Sequence, residues 1–201
     1  MVKKLLYFIL ATLLLVTIYL TIFELLIYNF HSPFNSNIKE PIAHHTTWIY
    51  LLKQHYITFI ELDIFNIHEK RHLLDVKKVF EKTYIIWLMV ISISSIITLI
   101  LMVKFKDNIN KSLIYLYRIG FTINILLITL NLNFLNSFSY FHTLFFTKNT
   151  WTFPKNSILI EWFPLSYFQE FFSLFLILTF SLFFFIRTYA KIPHEYSNNR
   201  R

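Results

Sequence analysis

The 201 residues contain no cysteine, which excludes disulfides, cysteine-ligated zinc and thiol nucleophiles from this chain. Glycine occurs once, at Gly120, and there is no convincing internal repeat. Charge is scarce over four long stretches, and what fills them is apolar and aromatic. Phe alone appears 24 times, and apolar residues reach 56%, above the roughly 45–50% of soluble domains. These residues are blocked into runs long enough for membrane spans, since about 20 helical residues cross the hydrocarbon core.

Spans are expected at 5–28, 84–103, 112–136 and 168–190. Between them lie an outer segment at 29–83, a short turn at 104–111 and an aromatic loop at 137–167, with a tail at 191–201. Lys3 and Lys4 precede the first span in signal-peptide order, yet its apolar run is too long and no A-x-A-like site follows. An uncleaved helix with its N-terminus inside is therefore expected.

The net charge of +8 raises the question of nucleic acid. Lys3, Lys4, Lys104, Lys106, Lys111, Arg118, Arg187, Lys191, Arg200 and Arg201, with Asp107 and Glu195, fall on one side of this topology. Nine basic and nine acidic residues remain for everything else. The whole excess thus sits on one face, as the positive-inside rule expects of the cytoplasmic side. Topology accounts for the charge, and no nucleic-acid partner is called for.

The expected fold is a mainly α membrane protein. It is a four-transmembrane-helix bundle with both termini cytoplasmic and a small extracytoplasmic cap of short helices and strand-like segments. In the cap, Trp48–Leu52 reads as a short helix and Tyr56–Ile60 as strand-like. Phe34, Trp48 and Phe59 are expected to face the bundle or lipid, and His31, His44 and His45 to be interfacial polar residues. Glu24, about 28 Å along the first helix from Leu5, is expected near the outer interface. Asn124, Asn131 and Asn133 are expected to face the bundle interior.

A polar island, Asn66 to Phe80, interrupts this pattern. Asn66 is a helix cap with Glu69 at the third helical position, approximating a capping box. At 100° per residue, Phe65, Glu69, His72, Leu73, Val76, Val79 and Phe80 share one face, while Lys70, Arg71, Lys77, Lys78 and Glu81 point away. His72 is thus expected on the buried side.

Two motif frames overlap here. His68-Glu69-x-x-His72 has the spacing of a zinc protease, with two histidines gripping the metal and Glu69 as base. A third ligand is needed, and the span at 84–103 offers none. Asp75 lies one turn away beside Lys77 and Lys78, leaving His142 or Glu161 in the second outer loop.

The second frame is Glu69-x-x-His72-x-x-Asp75-Val76-Lys77. With Phe141-His142-x-x-Phe145-Phe146-x-x-x-Thr150-Trp151-x-Phe153 after the third span, it resembles the bacterial lipoprotein intramolecular transacylases, a four-span integral membrane family. The resemblance covers nearly the whole chain. It implies that His72 and His142 are catalytic, and on this alignment His68 is incidental. It further implies transfer of the sn-2 acyl chain of a diacylated lipoprotein to the α-amine of its N-terminal cysteine, giving a lyso-form lipoprotein. No cofactor and no metal is implied. The setting is the bacterial cell membrane, with the active site on the extracytoplasmic side and membrane lipid around it.

The chemistry sets its own demands. Attack of the amine on the ester closes an eight-membered ring, so holding the substrate folded is a large part of the task. Tyr140, Phe141, Phe145, Phe146 and Trp151 are candidate walls. The amine, with an ordinary pKa of about 8, must lose a proton, and the departing alkoxide must gain one. A neutral imidazole of ordinary pKa near 6.5 suits both steps. Glu69 or Asp75 is a candidate to orient His72. A non-enzymatic membrane protein whose cap binds a partner is the remaining alternative.

Overall fold

The computed structural model describes residues 2–34, 39–52, 63–103, 109–147 and 149–191. Seven helices account for most of them: α1 Val2–Asn29, α2 Pro41–Leu51, α3 Ile67–Val103, α4 Asn110–Leu132, α5 Phe134–Phe145, α6 Ile158–Trp162 and α7 Leu165–Lys191. None of the described residues is in a strand, and the strand-like segment expected at Tyr56–Ile60, with Phe59, lies outside them. Four helical stretches, Lys4–Asn29, Ile67–Val103, Asn110–Leu132 and Ile158–Ala190, are long and apolar enough to cross a membrane.

Three differences from the sequence-based expectation have physical causes. The short cap helix begins at Pro41 rather than Trp48, because proline at the first helical position gives up an N–H that the helix leaves unpaired anyway. The polar island and the second span form one helix of 37 residues, about 55 Å long. Its charge-free part is Tyr84–Val103, so His72 lies in the charged half outside the apolar run. Finally, the stretch read as an aromatic loop at 137–167 contains most of α5 and all of α6. Helix α4 stops at Leu132, Asn133 is non-helical (φ −122°, ψ 57°), and α5 restarts at Phe134. That break leaves Asn133 exposed and Asn131 half-buried, so of the three amides only Asn124 is fully buried.

The chain divides into two compact units. The first comprises Met1–Glu24, Ile86–Thr129 and Leu174–Arg201. Its core is Ala11, Leu15, Leu116 and Phe183, with Ile18, Tyr19 and Ile123 among the partly buried residues packed around them. Gly120 is required there, because a Cβ would overlap the Phe183 ring. Polar side chains tie the helices together: Tyr19 Oη donates to Asn124 Oδ1 (2.9 Å) and Asn124 Nδ2 to Thr179 Oγ1 (3.0 Å). Trp87 Nε1 donates to Thr21 Oγ1 (2.9 Å), and the Thr17 and Ser94 hydroxyls are 3.2 Å apart. In apolar surroundings such bonds and close small-residue contacts do what hydrophobic burial does in water.

The second unit, Leu25–Ile85 and Leu130–Ser173, holds the described cap residues and both candidate histidines. Its interior is aromatic. Phe65 meets Trp162 edge-on at 5.3 Å, Trp48 meets Phe163 at 5.6 Å, and Phe30 stacks on Tyr167 at 5.4 Å. Trp48 Nε1 donates to the His31 carbonyl (3.0 Å) and Tyr167 Oη to the Phe30 carbonyl (2.9 Å), which pairs the polar ends of both rings. Trp48 is buried, whereas Phe34 is exposed. His44 is buried, between Trp162 and Phe163.

Candidate active site

The start of α3 fixes which way His72 points. Asn66 Oδ1 accepts from the backbone N–H groups of His68 (2.9 Å) and Glu69 (3.0 Å), and Glu69 Oε2 accepts from the Asn66 N–H (2.9 Å). This is a complete reciprocal capping box. With the phase so set, Glu69, His72 and Leu73 are buried and His68 and Arg71 are exposed. The other carboxylate oxygen of Glu69 accepts from the Ser157 hydroxyl and from Leu159 N–H (3.5 Å). Ser157 is the N-cap residue of α6, so one buried carboxylate secures the first turns of two helices. The bonds of Glu69 run to these groups rather than to His72. Asp75 bonds Lys78 (3.2 Å) and reaches His72 only through its charge.

His142 comes from α5. Phe134, Phe138 and His142 recur every fourth residue and so share one face. Phe138 packs on Phe134 at 6.0 Å and on Phe168 at 5.0 Å. His142 Nδ1 lies 2.8 Å from the Phe138 carbonyl oxygen. A carbonyl only accepts, so Nδ1 carries the hydrogen and the neutral ring keeps its lone pair on Nε2.

The two imidazoles face one another with centroids 6.3 Å apart and planes 26° from parallel. At that spacing two ring nitrogens pointed straight at each other would still be about 3.9 Å apart, beyond hydrogen-bond reach. Each ring is nearly buried, at 7% exposure, and His72 Nδ1 has no hydrogen-bond partner among the described residues. Phe146 lies against both, 4.9 Å from His72 and 5.3 Å from His142. Phe153 closes the His72 side (5.4 Å) and Trp151 the His142 side (4.9 Å). Asn149 takes a left-handed turn (φ 67°), a conformation asparagine tolerates, just before Trp151.

Burial pushes His72 down to about 4, with the neighbouring His142 and His68 adding to the effect and Asp75 opposing it. Burial also lowers His142, against the bond to Phe138. Both rings are therefore neutral at neutral pH. The arrangement offers a lone pair on one side and an uncommitted imidazole on the other, in surroundings that amplify polar interactions.

Of the walls expected from the sequence, Phe146 and Trp151 stand at the pair. Tyr140, Phe141 and Phe145 are mostly exposed, although Phe141 also touches the edge of the adjacent His142 at 5.8 Å. Phe138, Phe153 and Ser157 are additional site residues. His68 is exposed against Phe153 at 5.0 Å. Among the described residues, no third His, Asp or Glu joins it and His72 in a set able to hold a metal.

Among curated proteins, none matches the sequence. A solved in meso structure of the membrane integral lipoprotein intramolecular transacylase Lit from Bacillus cereus has the same fold, with a TM-score of 0.62 over 94% of each chain at 22% identity. The family model described as lipoprotein intramolecular transacylase Lit matches residues 2–168. This is a multi-pass membrane protein and an acyltransferase, and the chain belongs to the Lit family of lipoprotein intramolecular transacylases.

Proposed function

We propose that His142 and His72 together move the sn-2 acyl chain of a diacylated lipoprotein onto the α-amine of its N-terminal cysteine. The observation that carries this reading is the bond from His142 Nδ1 to the Phe138 carbonyl, with a second neutral imidazole 6.3 Å away. His142 Nε2 takes the proton that the attacking amine loses. The nitrogen–carbon bond forms at the ester carbonyl, and His72, a neutral N–H donor, stabilises the developing oxyanion. Neutral imidazole is an effective donor in such a role. The carbon–oxygen bond to glycerol then breaks, and His142 returns its proton to the alkoxide. Atoms and charge balance without a metal or cofactor.

The aromatic walls supply the rest. Phe146, Phe153 and Trp151 confine the folded substrate, which offsets the entropy of closing an eight-membered ring. Tyr140, Phe141 and Phe145 present exposed aromatic surface that suits acyl chains. The positive-inside pattern of the sequence supports a site on the extracytoplasmic side of the bacterial cell membrane.

The test is expression in a host whose lipoproteins are diacylated, followed by mass spectrometry of the N-terminal lipopeptides. The expected product is N-acylated and lyso at the glyceryl group, with total mass unchanged. Unaltered lipopeptides from well-expressed protein would overturn the reading.

A further inference from the structure

One end of the first unit is strongly basic. Lys111 Nζ lies over the Tyr7 ring (5.8 Å) and Tyr115 packs edge-on against Phe8 (6.4 Å), which brings the start of α4 beside the start of α1, with its exposed Lys4. Arg118 follows two turns along α4, and Arg187 lies over the Tyr117 ring at 5.4 Å. Among the described residues of this unit the sole acid is Glu24, about 25 Å farther along α1 than Tyr7. Neither guanidinium is in an ion pair with a described residue.

Between α4 and α7 a cavity of about 290 Å³ opens, lined by Ile114, Tyr117, Arg118, Arg187 and Ala190. At about 30 Å³ per water, it has room for a group far larger than one solvent molecule. The spacing is helical on both sides, i, i+3, i+4 on α4 and i, i+3 on α7, so each helix turns one face to it. Arg187 is held over the Tyr117 ring at the lining, and guanidinium N–H groups pair well with phosphate oxygens. Ala190 is buried and small, which keeps the space open. Ile114 on the lining, and Phe121 and Phe184 on the same two helices, are exposed and apolar. A ligand that fits has an anionic head for the arginines and an apolar tail to lie along the helices.

We propose that this cavity binds the phosphate headgroup of an anionic membrane lipid. The proposal is independent of the acyl-transfer chemistry. Phosphate chemistry is shared by lipid headgroups and free phosphate, and the adjoining apolar surface favours the lipid.

The full-length protein is reconstituted in nanodiscs of phosphatidylcholine with a minor fraction of phosphatidylglycerol. Lipid retained after extraction is then counted by native mass spectrometry. Enrichment of phosphatidylglycerol is expected, with a loss of about fivefold per guanidinium removed in Arg118→Gln and Arg187→Gln. Arg118→Lys/Arg187→Lys is expected to keep most of it, and Lys4→Gln, which removes a basic side chain outside the cavity, all of it. Equal retention of both lipids by the wild type, or unchanged enrichment in the folded double glutamine variant, overturns the proposal. In a parallel arm, inorganic phosphate that raises the thermal midpoint as much as short-chain phosphatidylglycerol assigns the site to a soluble anion and overturns the lipid reading.

Discussion

Glu69 and Ser157, 88 residues apart in the chain, share a buried hydrogen bond in which the serine hydroxyl donates to the carboxylate. The same carboxylate closes the capping box at Asn66, nearly two helical turns before His72. Glu69 is thus the residue through which the start of α6 and the phase of α3 hold each other.

Glu69→Ala should leave the Ser157 hydroxyl and the Asn66 and Leu159 N–H groups without their acceptor. A loss of about 2–4 kcal/mol is expected, against about 1 kcal/mol for Ser157→Ala. Thermal unfolding of the purified variants checks this, and the double variant should cost less than the two singles together. Strict additivity would mean that the pair is not coupled. Turnover should fall in Glu69→Ala and recover in part in Glu69→Gln, which restores one acceptor.

Much of this site is legible in the sequence, and the remainder fails for identifiable reasons. Helical period and the Asn66 cap put His72 on the inner face, because both are local signals. His142 stands in an aromatic run that composition alone reads as an interfacial belt, so only its family motif singles it out. Helix α5 is hidden because no glycine or proline separates it from α4, and hydropathy runs on through Asn133. Once α5 is known, the four-residue recurrence of Phe134, Phe138 and His142 predicts the carbonyl that fixes the tautomer. Ser157 carries no local mark, since its partner is supplied by a distant turn of chain.

The histidine pair predicts a split among substitutions. His72→Ala and His142→Ala should each lower the transacylation rate by about 10²–10⁴-fold, the usual scale of a lost proton-transferring or polarising group. His68→Ala should stay within about twofold, since that ring is exposed and packs only against Phe153. Lipopeptide mass spectrometry on matched expression levels measures all three. Equal loss at His68, with inhibition by a chelator, would transfer the chemistry to a metal.

The pH profile follows from the neutral pair. Both histidines titrate below the ordinary 6.5, His72 at about 4. The amine, near 8, is then the one group whose deprotonation limits the rate across the physiological range. The logarithm of the rate should rise with unit slope from about pH 6.5 to 7.5 and level off above about 8. A slope of two below pH 6.5 would show that a histidine of ordinary pKa must also lose a proton.

Stability carries the same signature with its own sign. The folded-state value of His72 is depressed below its unfolded value, so between about 4 and 6.5 the unfolded chain binds more protons. Stability therefore rises with pH through that window and is lost on acidification, by an amount on the order of 3 kcal/mol from His72 alone. His72→Leu should flatten that part of the curve, and an unchanged acid limb in this variant would place the sensitivity elsewhere.

Gly120 supplies a test of the first unit that leaves the histidines untouched. In most exposed helix positions Gly→Ala stabilises by about 0.5–1 kcal/mol through backbone entropy. Here the new methyl group would enter the ring of Phe183, which is wholly buried and would have to shift. Overpacking of this kind costs about 1–3 kcal/mol and should reverse the sign. At about 2–4 °C per kcal/mol for a chain of this size, Gly120→Ala should lower the unfolding midpoint by several degrees. Phe183→Leu in the same chain removes the clashing ring edge and should recover part of the loss, although alone it destabilises by opening a cavity. The sign of that coupling separates steric contact from propensity: a midpoint raised by Gly120→Ala would mean that the ring does not rest on the glycine.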